Sequence, residues 1–395
     1  MRVITDKAVV LRKGKDKPIR NRHHWIFSGA VERLPEGLID GGIYPVSSYE
    51  GAPLGHAYFN RKCSIIGRMV SFGPGDPFTA LRKNVQRAIA VRNELFGEGK
   101  ETSAYRLINA EGDGIPGLIV DKYDRTLVIQ IGTLGMEKLR DFIVETLVQE
   151  LGPASIYEKS NLPSRREEGL GDKAGFLFGG QVEKVFIREN GFDFLVDIAE
   201  SQKTGFYLDQ REMRKLAGSL AAGRRVLNCF SYTGGFSVYA LLGGASRVDS
   251  VDTSGPALEM AKQNFLLNGL HPEEHGFIEA DVFAFLRGPV SGYDLLILDP
   301  PAFAKRKTDV PQAGRGYKDI NRLALQKVSA GGFVLTFSCS HFVDERLFQQ
   351  IVFEAAAEAS RNVRILQRHR QAPDHPVNIF HPETEYLKGL LLYVD

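Results

Sequence analysis

Residues 225–236 read RVLNCFSYTGGF, and this stretch decides the fold of the C-terminal half. Its first residues predict a buried strand, and a helix is expected to begin at Gly235. A glycine-rich turn between a strand and a helix lets the backbone approach a ligand and presents amide donors at the helix start. The G-x-G-x-x-G pattern of dinucleotide sites is absent, and aromatic side chains stand where a pyrophosphate needs open backbone, which disfavours a nicotinamide or flavin cofactor.

Outward from that turn, strands and helices alternate to the end of the chain. Helices are expected from Pro256 to Asn268 and from Glu345 to Ala359, with a short one after residue 281. The predicted strands are RVDSVD, GFIEAD, YDLLILD, GGFVLTF, NVRIL and LKGLLLYV. Apolar strands interleaved with helices indicate a mostly parallel sheet covered on both faces, an α/β Rossmann-like domain.

Two further domains are predicted before this one, because 395 residues exceed what a single core usually serves. Residues 1–73 read as short strands separated by turns, a small β-barrel. Residues 76–190 read as a central α+β domain that opens with a helix capped by Asp76, with Pro77 in its first turn. The third domain spans 191–395, and Asn190-Gly191 predicts a two-residue hairpin at that boundary.

Charge and cysteine content narrow the class of protein. The net charge is only +2, but residues 1–75 hold 12 Lys and Arg against 6 Asp and Glu, so the N-terminal module is basic. The three cysteines have no paired spacing, which predicts neither a disulfide framework nor a metal site and favours the cytoplasm. Polar residues and glycines interrupt the apolar run at 226–246, so we expect no membrane helix and no membrane partner.

The carboxyl ends of the first three C-terminal strands predict a nucleoside pocket, because ligands of open parallel sheets bind beyond those ends. Asp252 ends the second strand and could accept both ribose hydroxyls. Asp281 and Val282 follow the third strand, near the expected adenine. The turn after the first strand supplies the remaining expected cofactor contacts, Phe230, Ser231, Tyr232, Thr233, Gly234 and Gly235.

The fourth and fifth strands end in residues that suit chemistry on a planar base. The consecutive prolines after Asp299 fix the backbone, so the Asp299 carboxylate and the Pro300 carbonyl are expected at the pocket mouth, with Phe303 beside them. Cys339 follows the fifth strand, where a thiolate could attack C6 of a pyrimidine and make C5 nucleophilic. A lone cysteine at a strand end is also often a small buried hydrophobe, which is our reading of Cys229 and Cys63.

Taken together, these strand ends resemble class I S-adenosylmethionine-dependent methyltransferases. Across nearly the whole chain the arrangement is similar to the RlmI/YccW-like family of large-subunit ribosomal RNA cytosine-C5 methyltransferases. The motifs that carry the resemblance are 25–30 (WIFSGA), 202–211 (QKTGFYLDQR), 228–236, 299–303 (DPPAF), 317–321 (YKDIN) and 338–340 (SCS). One departure is Arg22-His23-His24, where the family usually has Gly-His-Pro; we interpret both histidines as surface or RNA-contacting residues.

The resemblance implies a PUA-like RNA-binding barrel, a central α+β domain and a methyltransferase domain whose sheet ends in an antiparallel strand, here LKGLLLYV. It also implies that Cys339 is the nucleophile and that the 202–211 segment covers S-adenosylmethionine through Phe206 and Tyr207. Lys305 and Arg306, next to the base pocket, are expected to contact RNA phosphates.

The resulting hypothesis is methyl transfer to C5 of a cytosine in 23S ribosomal RNA through a covalent Cys339–C6 adduct, with Asp299 bonded to the base edge. The cytosine would be flipped out of its RNA. Two alternatives stay open: an N-methyltransferase of an exocyclic base amine, which needs no thiol, and a non-catalytic RNA-binding assembly factor. The sequence also leaves open the target nucleotide, naked RNA or a ribosomal particle as substrate, the base that removes the C5 proton, and a monomer or a homodimer.

Overall fold

The computed structural model describes residues 7–97, 100–199 and 204–395. The chain divides into two compact units. The first comprises Met1–Gly191, Val196–Leu208 and Pro373–Thr384, and the second comprises Phe192–Leu195, Asp209–Ala372 and Glu385–Asp395. The three-domain division at 1–73, 76–190 and 191–395 stays a prediction.

The strands up to residue 197 are β1 Val9–Leu11, β2 Trp25–Phe27, β3 Val31–Arg33, β4 Ile43–Ser47, β5 Pro53–Phe59, β6 Ile65–Phe72, β7 Ala104–Asn109, β8 Leu118–Tyr123, β9 Thr126–Ile131, β10 Ser155–Ser160, β11 Lys173–Gly179, β12 Lys184–Glu189 and β13 Phe192–Asp197. The helices in this part are α1 Lys17–Arg20, α2 Pro77–Phe96, α3 Leu134–Leu151 and α4 Pro163–Glu167, with 3-10 turns at Ser28–Ala30 and Ala110–Asp113.

Two sheets organise the first unit. One is six-stranded in the order β2-β6-β5-β4-β1-β3, and the other is five-stranded in the order β11-β10-β9-β8-β7. Helix α2 begins as predicted, because the Asp76 side chain accepts a hydrogen bond from the amide of Thr79. Strands β12 and β13 form a two-stranded sheet, and positive φ angles of 50° at Asn190 and 85° at Gly191 make the predicted tight turn.

The remaining elements belong mainly to the second unit. Its strands are β14 Arg225–Cys229, β15 Arg247–Asp252, β16 Gly276–Glu279, β17 Tyr293–Leu298, β18 Val328–Ser338, β19 Val363–His369 and β20 Lys388–Val394. Its helices are α5 Arg211–Leu220, α6 Gly235–Leu242, α7 Gly255–Leu267, α8 Val282–Arg287, α9 Val310–Lys327 and α10 Glu345–Glu358. Short 3-10 turns lie at Leu208–Gln210, Pro272–Glu274, Lys307–Asp309 and Pro382–Thr384.

These strands form a seven-stranded sheet in the order β16-β15-β14-β17-β18-β20-β19. The pairs among β14 to β18 are parallel, whereas β20 is antiparallel to both β18 and β19. The strand order reverses between β14 and β17, which is the place where open α/β sheets bind ligands. This confirms the α/β Rossmann-like class and the antiparallel strand expected from LKGLLLYV.

The sequence analysis missed helix α9. This helix of 18 residues contains two poor helix formers, Gly314 and Gly316, in its first turns, and the sequence analysis assigned no element between β17 and β18. Tertiary packing forms it nonetheless, because Tyr317, Ile320 and Leu323 are buried in the core on one side of the sheet. Among the described residues, no helix is long and apolar enough to cross a bilayer.

Candidate active site

The turn after β14 adopts a strained, well-anchored conformation. Phe230 and Tyr232 have φ angles of 59° and 46°, a region that residues with a side chain rarely occupy. The amide of Ser231 bonds to the Val251 carbonyl at 3.1 Å. Asn264, on α7, donates from Nδ2 to the Thr233 carbonyl at 2.9 Å. The loop is therefore held from β15 and α7, and Asn264 is an anchor that the sequence analysis did not identify.

Gly234 is required at the start of α6. Its φ of 77° lies in the left-handed region, and a Cβ there would stand 2.8 Å from the Cβ of Ala261. Only glycine lets α6 begin this close to α7. Glycine is therefore needed at this position for helix packing, in addition to the predicted approach of the turn to a ligand.

Two carboxylates follow the next strands, as expected. Asp252 accepts the Tyr232 amide on Oδ2 at 2.8 Å and the Ser254 amide on Oδ1 at 2.9 Å. Each oxygen keeps a further lone pair for a hydroxyl donor. Asp281 is exposed and caps α8 by accepting the Ala284 amide on Oδ1 at 2.8 Å, while Val282 is buried.

Asp299 lies directly after β17 and has a partner that the sequence analysis did not single out. Gln210, 2% exposed, donates from Nε2 to Asp299 Oδ1 at 2.9 Å. The other side-chain atom of Gln210, Oε1, is buried and has no hydrogen-bond partner among the described residues. The amide nitrogen of Gln210 thus fixes the carboxylate, while its buried amide oxygen costs folding energy because it gains no hydrogen bond from the described residues in exchange for those to water.

The thiol of Cys339 lies next to the fourth strand end. Its Sγ is 3.9 Å from the Pro300 carbonyl oxygen, and the residue is partly exposed. The two flanking serines are buried, and Ser340 Oγ accepts the Ala304 amide at 3.1 Å and pairs with the Tyr317 hydroxyl at 2.9 Å. Burial raises the pKa of Tyr317, so this hydroxyl stays protonated.

The other two cysteines occupy different environments. Cys229 is 0% exposed within β14, and burial raises the pKa of its thiol well above the ordinary value. Cys63 belongs to the first unit; burial, then the charge of Glu168, raises its pKa to about 11. Both thiols are therefore poor nucleophiles near neutral pH.

The expected base-binding residues divide into two groups. Phe303 packs on Tyr317 with a centroid distance of 4.6 Å, and Pro300 is buried beside Cys339. Lys305 and Arg306 are exposed, and their amides bond to Asp309 Oδ2 at 3.2 and 2.9 Å, which leaves the side chains on the surface. Their predicted contacts with base and phosphate stay predictions.

Phe206 and Tyr207, the expected cofactor cover, belong to the first unit. The Phe206 amide donates to the Tyr123 hydroxyl at 3.0 Å, and the same hydroxyl pairs with Thr204 Oγ1 at 3.1 Å. Gln202 and Lys203 of the same motif lie outside the described residues. The role of this segment over the cofactor stays a prediction.

One of the two histidines at positions 23 and 24 does not lie as expected. His24 is 4% exposed, so the surface position predicted for it is wrong. His23 stacks on His381, and Glu383 joins them in a group whose potential ligand atoms lie within 4.8 Å of one another. His23 Nδ1 accepts the Trp25 amide at 3.2 Å, which places the ring proton on Nε2, facing Glu383. This protonation argues against metal binding through His23.

The second unit thus gathers along one edge of its sheet a strained glycine-rich loop, two carboxylates, a proline-braced carboxylate and a partly exposed thiol. Backbone amides and carboxylates suit a nucleoside, and a thiol next to the Asp299-Pro300 strand end suits nucleophilic attack on a planar base.

Comparisons with known proteins agree with this arrangement. A family model described as S-adenosylmethionine-dependent methyltransferase matches residues 166–392, and a PUA-like domain model matches residues 9–72. Ribosomal RNA large subunit methyltransferase I of Shewanella frigidimarina is 40% identical over 98% of this chain and 99% of its own length. The protein of that name from Photobacterium profundum is 42% identical over 98% of this chain and 99% of its own length.

Two solved structures match this chain over nearly its full length. A candidate SAM-dependent methyltransferase from Streptococcus mutans is 25% identical, with a TM-score of 0.82 over 98% of this chain and 99% of that chain. A candidate methyltransferase complexed with SAH is 26% identical, with a TM-score of 0.84 and the same coverage.

Proposed function

Because this chain belongs to the S-adenosylmethionine-dependent ribosomal RNA large subunit methyltransferase I family, we propose that it methylates C5 of a cytosine in 23S ribosomal RNA. The observation that carries the chemistry is the thiol of Cys339, 3.9 Å from the carbonyl of Pro300 in the Asp299-Pro-Pro motif. An N-methyltransferase acting on an amine needs no thiol at this position, whereas attack on C6 of a pyrimidine does.

S-adenosylmethionine is the cofactor, and it supplies the methyl group in electrophilic form. The described residues fit it, because both oxygens of Asp252 keep lone pairs for ribose hydroxyls after binding one amide each. The exposed Asp281 also keeps one oxygen, Oδ2, with no hydrogen bond among the described residues. We propose that Phe230 to Gly235, Asp252, Asp281 and Val282 hold the cofactor, with Phe206 and Tyr207 covering it.

The chain's own residues supply the remaining steps. The Cys339 thiolate forms a bond to C6, and the C5–C6 π electron pair moves to C5, which becomes the nucleophile. Asp299, fixed by Gln210, hydrogen-bonds the cytosine edge, and Phe303, Lys305 and Arg306 contact the flipped base and its backbone. Once C5 carries the methyl group, with S-adenosylhomocysteine as the leaving group, a base removes the C5 proton. The C5–H electron pair then restores the C5–C6 double bond, and the C6–S pair leaves with Cys339 as thiolate.

The test uses ribosomal RNA from cells that lack this activity, incubated with S-adenosylmethionine and analysed by nucleoside mass spectrometry. Wild-type protein and the control Cys63→Ala are expected to produce 5-methylcytidine, and Cys339→Ala none. RNA containing 5-fluorocytidine should trap wild-type protein as a covalent adduct, because fluorine cannot leave as a proton would. An N-methylated base that survives Cys339→Ala would overturn the proposal.

Several finer points belong to the same proposal. We expect the enzyme to act in the cytoplasm, where its ribosomal RNA substrate is made. Parallel reactions with deproteinised 23S RNA and with assembly particles distinguish the two forms of substrate. Light scattering on the purified protein distinguishes a monomer from a homodimer.

A further inference from the structure

Lys388 is a buried lysine that the methyl-transfer scheme does not use. It is the first residue of β20 and pairs with Ser338, directly before Cys339. Only 7% of Lys388 is exposed, and its Nζ donates to the Ser340 carbonyl at 2.6 Å and to the Tyr386 carbonyl at 2.7 Å. Among the described residues it forms no ion pair with a carboxylate.

Such a position is costly for an ammonium group. Backbone carbonyls satisfy two of its three donors but do not neutralise its charge, and an apolar side chain of similar volume would remove the desolvation penalty. The charged and titratable groups that face it are Cys339, Asp344 at the cap of α10, and Glu385, the residue before Tyr386, while Tyr317 of α9 faces Cys339. Of these, Cys339 is the one whose ionisation the chemistry requires.

We propose that Lys388 is a positioning residue for the nucleophile: it fixes the Ser338-Cys339-Ser340 turn through the Ser340 carbonyl and supplies the positive charge that favours the Cys339 thiolate. The inference rests on the proposed role of Cys339. Tyr317 and the Ala304 amide also hold the turn, through Ser340 Oγ, and Lys388 adds a contact to the Ser340 carbonyl.

The protonation of Lys388 is compatible with this role. Burial lowers its pKa to about 8, while the charges of Cys339, Asp344 and Glu385 oppose that fall. The group therefore remains mostly protonated at pH 7. Because a protonated amine that donates to two carbonyls has no lone pair to accept a proton, Lys388 is not the base that removes the C5 proton.

The test measures the ionisation of Cys339 directly. The full-length protein is alkylated with iodoacetamide from pH 5.5 to 10, and the Cys339 peptide is quantified by mass spectrometry, with the Cys63 peptide as an internal control. In wild-type protein the half-maximal pH for Cys339 is expected below the ordinary value of about 8.5. Lys388→Met should raise it by about one unit or more, and Lys388→Arg should keep it close to wild type.

A matched control is available in the same unit. Lys327 also donates to a backbone carbonyl, that of Gly288 at 2.8 Å, and Lys327→Met is expected to leave the Cys339 profile unchanged. The proposal is overturned by a wild-type half-maximal pH of about 8.5 or higher, which needs no variant. It is equally overturned by no shift in Lys388→Met, or by an equal shift in Lys388→Arg or Lys327→Met.

This readout is independent of product formation. If Lys388→Met shifts the alkylation profile while Cys339→Ala still methylates RNA, the proposed function fails and the electrostatic role of Lys388 stands. If 5-methylcytidine depends on Cys339 but Lys388→Met leaves its profile unchanged, the proposed function stands and the inference about Lys388 fails.

Discussion

Replacing Gln210 by leucine separates the activity of this enzyme from its stability. The substitution removes the 2.9 Å hydrogen bond from Gln210 Nε2 to Asp299 Oδ1 and keeps a side chain of similar size in the buried site. A hydrogen bond to a charged group contributes about 1.5–3 kcal/mol. If that energy serves to orient Asp299 in the transition state, kcat/KM falls by about 10- to 150-fold, since each 1.4 kcal/mol is tenfold.

The effect on folding should be small. Leucine also removes the buried Oε1 of Gln210, which has no partner among the described residues, and this relieves about 1–3 kcal/mol and offsets the lost hydrogen bond. The free energy of unfolding is therefore expected to change by no more than about 1 kcal/mol.

Initial rates of tritiated methyl transfer to ribosomal RNA give kcat/KM, calorimetry gives the affinity for S-adenosylmethionine, and urea unfolding gives stability. Gln350→Leu is the matched control, because this exposed glutamine donates to Glu354 on α10 and should behave as wild type. A loss of activity below about threefold in folded Gln210→Leu would refute the reasoning. So would a loss of the same size in the control.

Two predictions concern the first unit. Arg92 is 0% exposed and bonds both oxygens of Asp113 at 2.6 and 2.8 Å, so Arg92→Met leaves a carboxylate unpaired. The free energy of unfolding, measured with denaturant, should fall by about 3–5 kcal/mol. A fall of less than about 1 kcal/mol would contradict this prediction. Burial, followed by the charges of His381 and His23, lowers the pKa of His24 to about 3. The contribution of His24 to the free energy of unfolding is therefore greatest above about pH 6.5. It falls as the pH decreases toward 3, because the unfolded chain then binds a proton that the folded chain does not. Between pH 6.5 and 4.5 the free energy of unfolding of the wild type should fall by about 2–3 kcal/mol more than that of His24→Leu. If the free energies of the two proteins fell in parallel with pH, the reasoning would be wrong.

The sequence predicted the parts of this site that lie at strand ends. Strands of a parallel sheet are buried on both faces and read as apolar runs, so their carboxyl ends can be located without knowing the packing. Asp252, Asp281, Asp299 and Cys339 lie at or just after such ends, and the sheet places them along one edge. Their roles in binding and catalysis came from resemblance and chemistry, and they stay predictions.

The residues that hold the site in place were not predictable in this way. The sequence analysis gave Gln210, Asn264 and Lys388 no individual role, although Gln210 lies within the 202–211 motif, and each gains its role from a partner on another element. Helix α9, which carries Tyr317, contains two glycines in its first turns and is stabilised because one face is buried against the sheet.

The sequence by itself determined the class of fold, the order in which strands and helices alternate, and the residue types at the strand ends. These features depend on short-range periodicity and turn chemistry, which any segment carries within itself. Only the tertiary structure decided which buried donor meets which carboxylate, that His24 is inside, and that an ammonium group lies beside the thiol turn. Such contacts join residues far apart in the chain, and their energies exist only once the packed interior has excluded water.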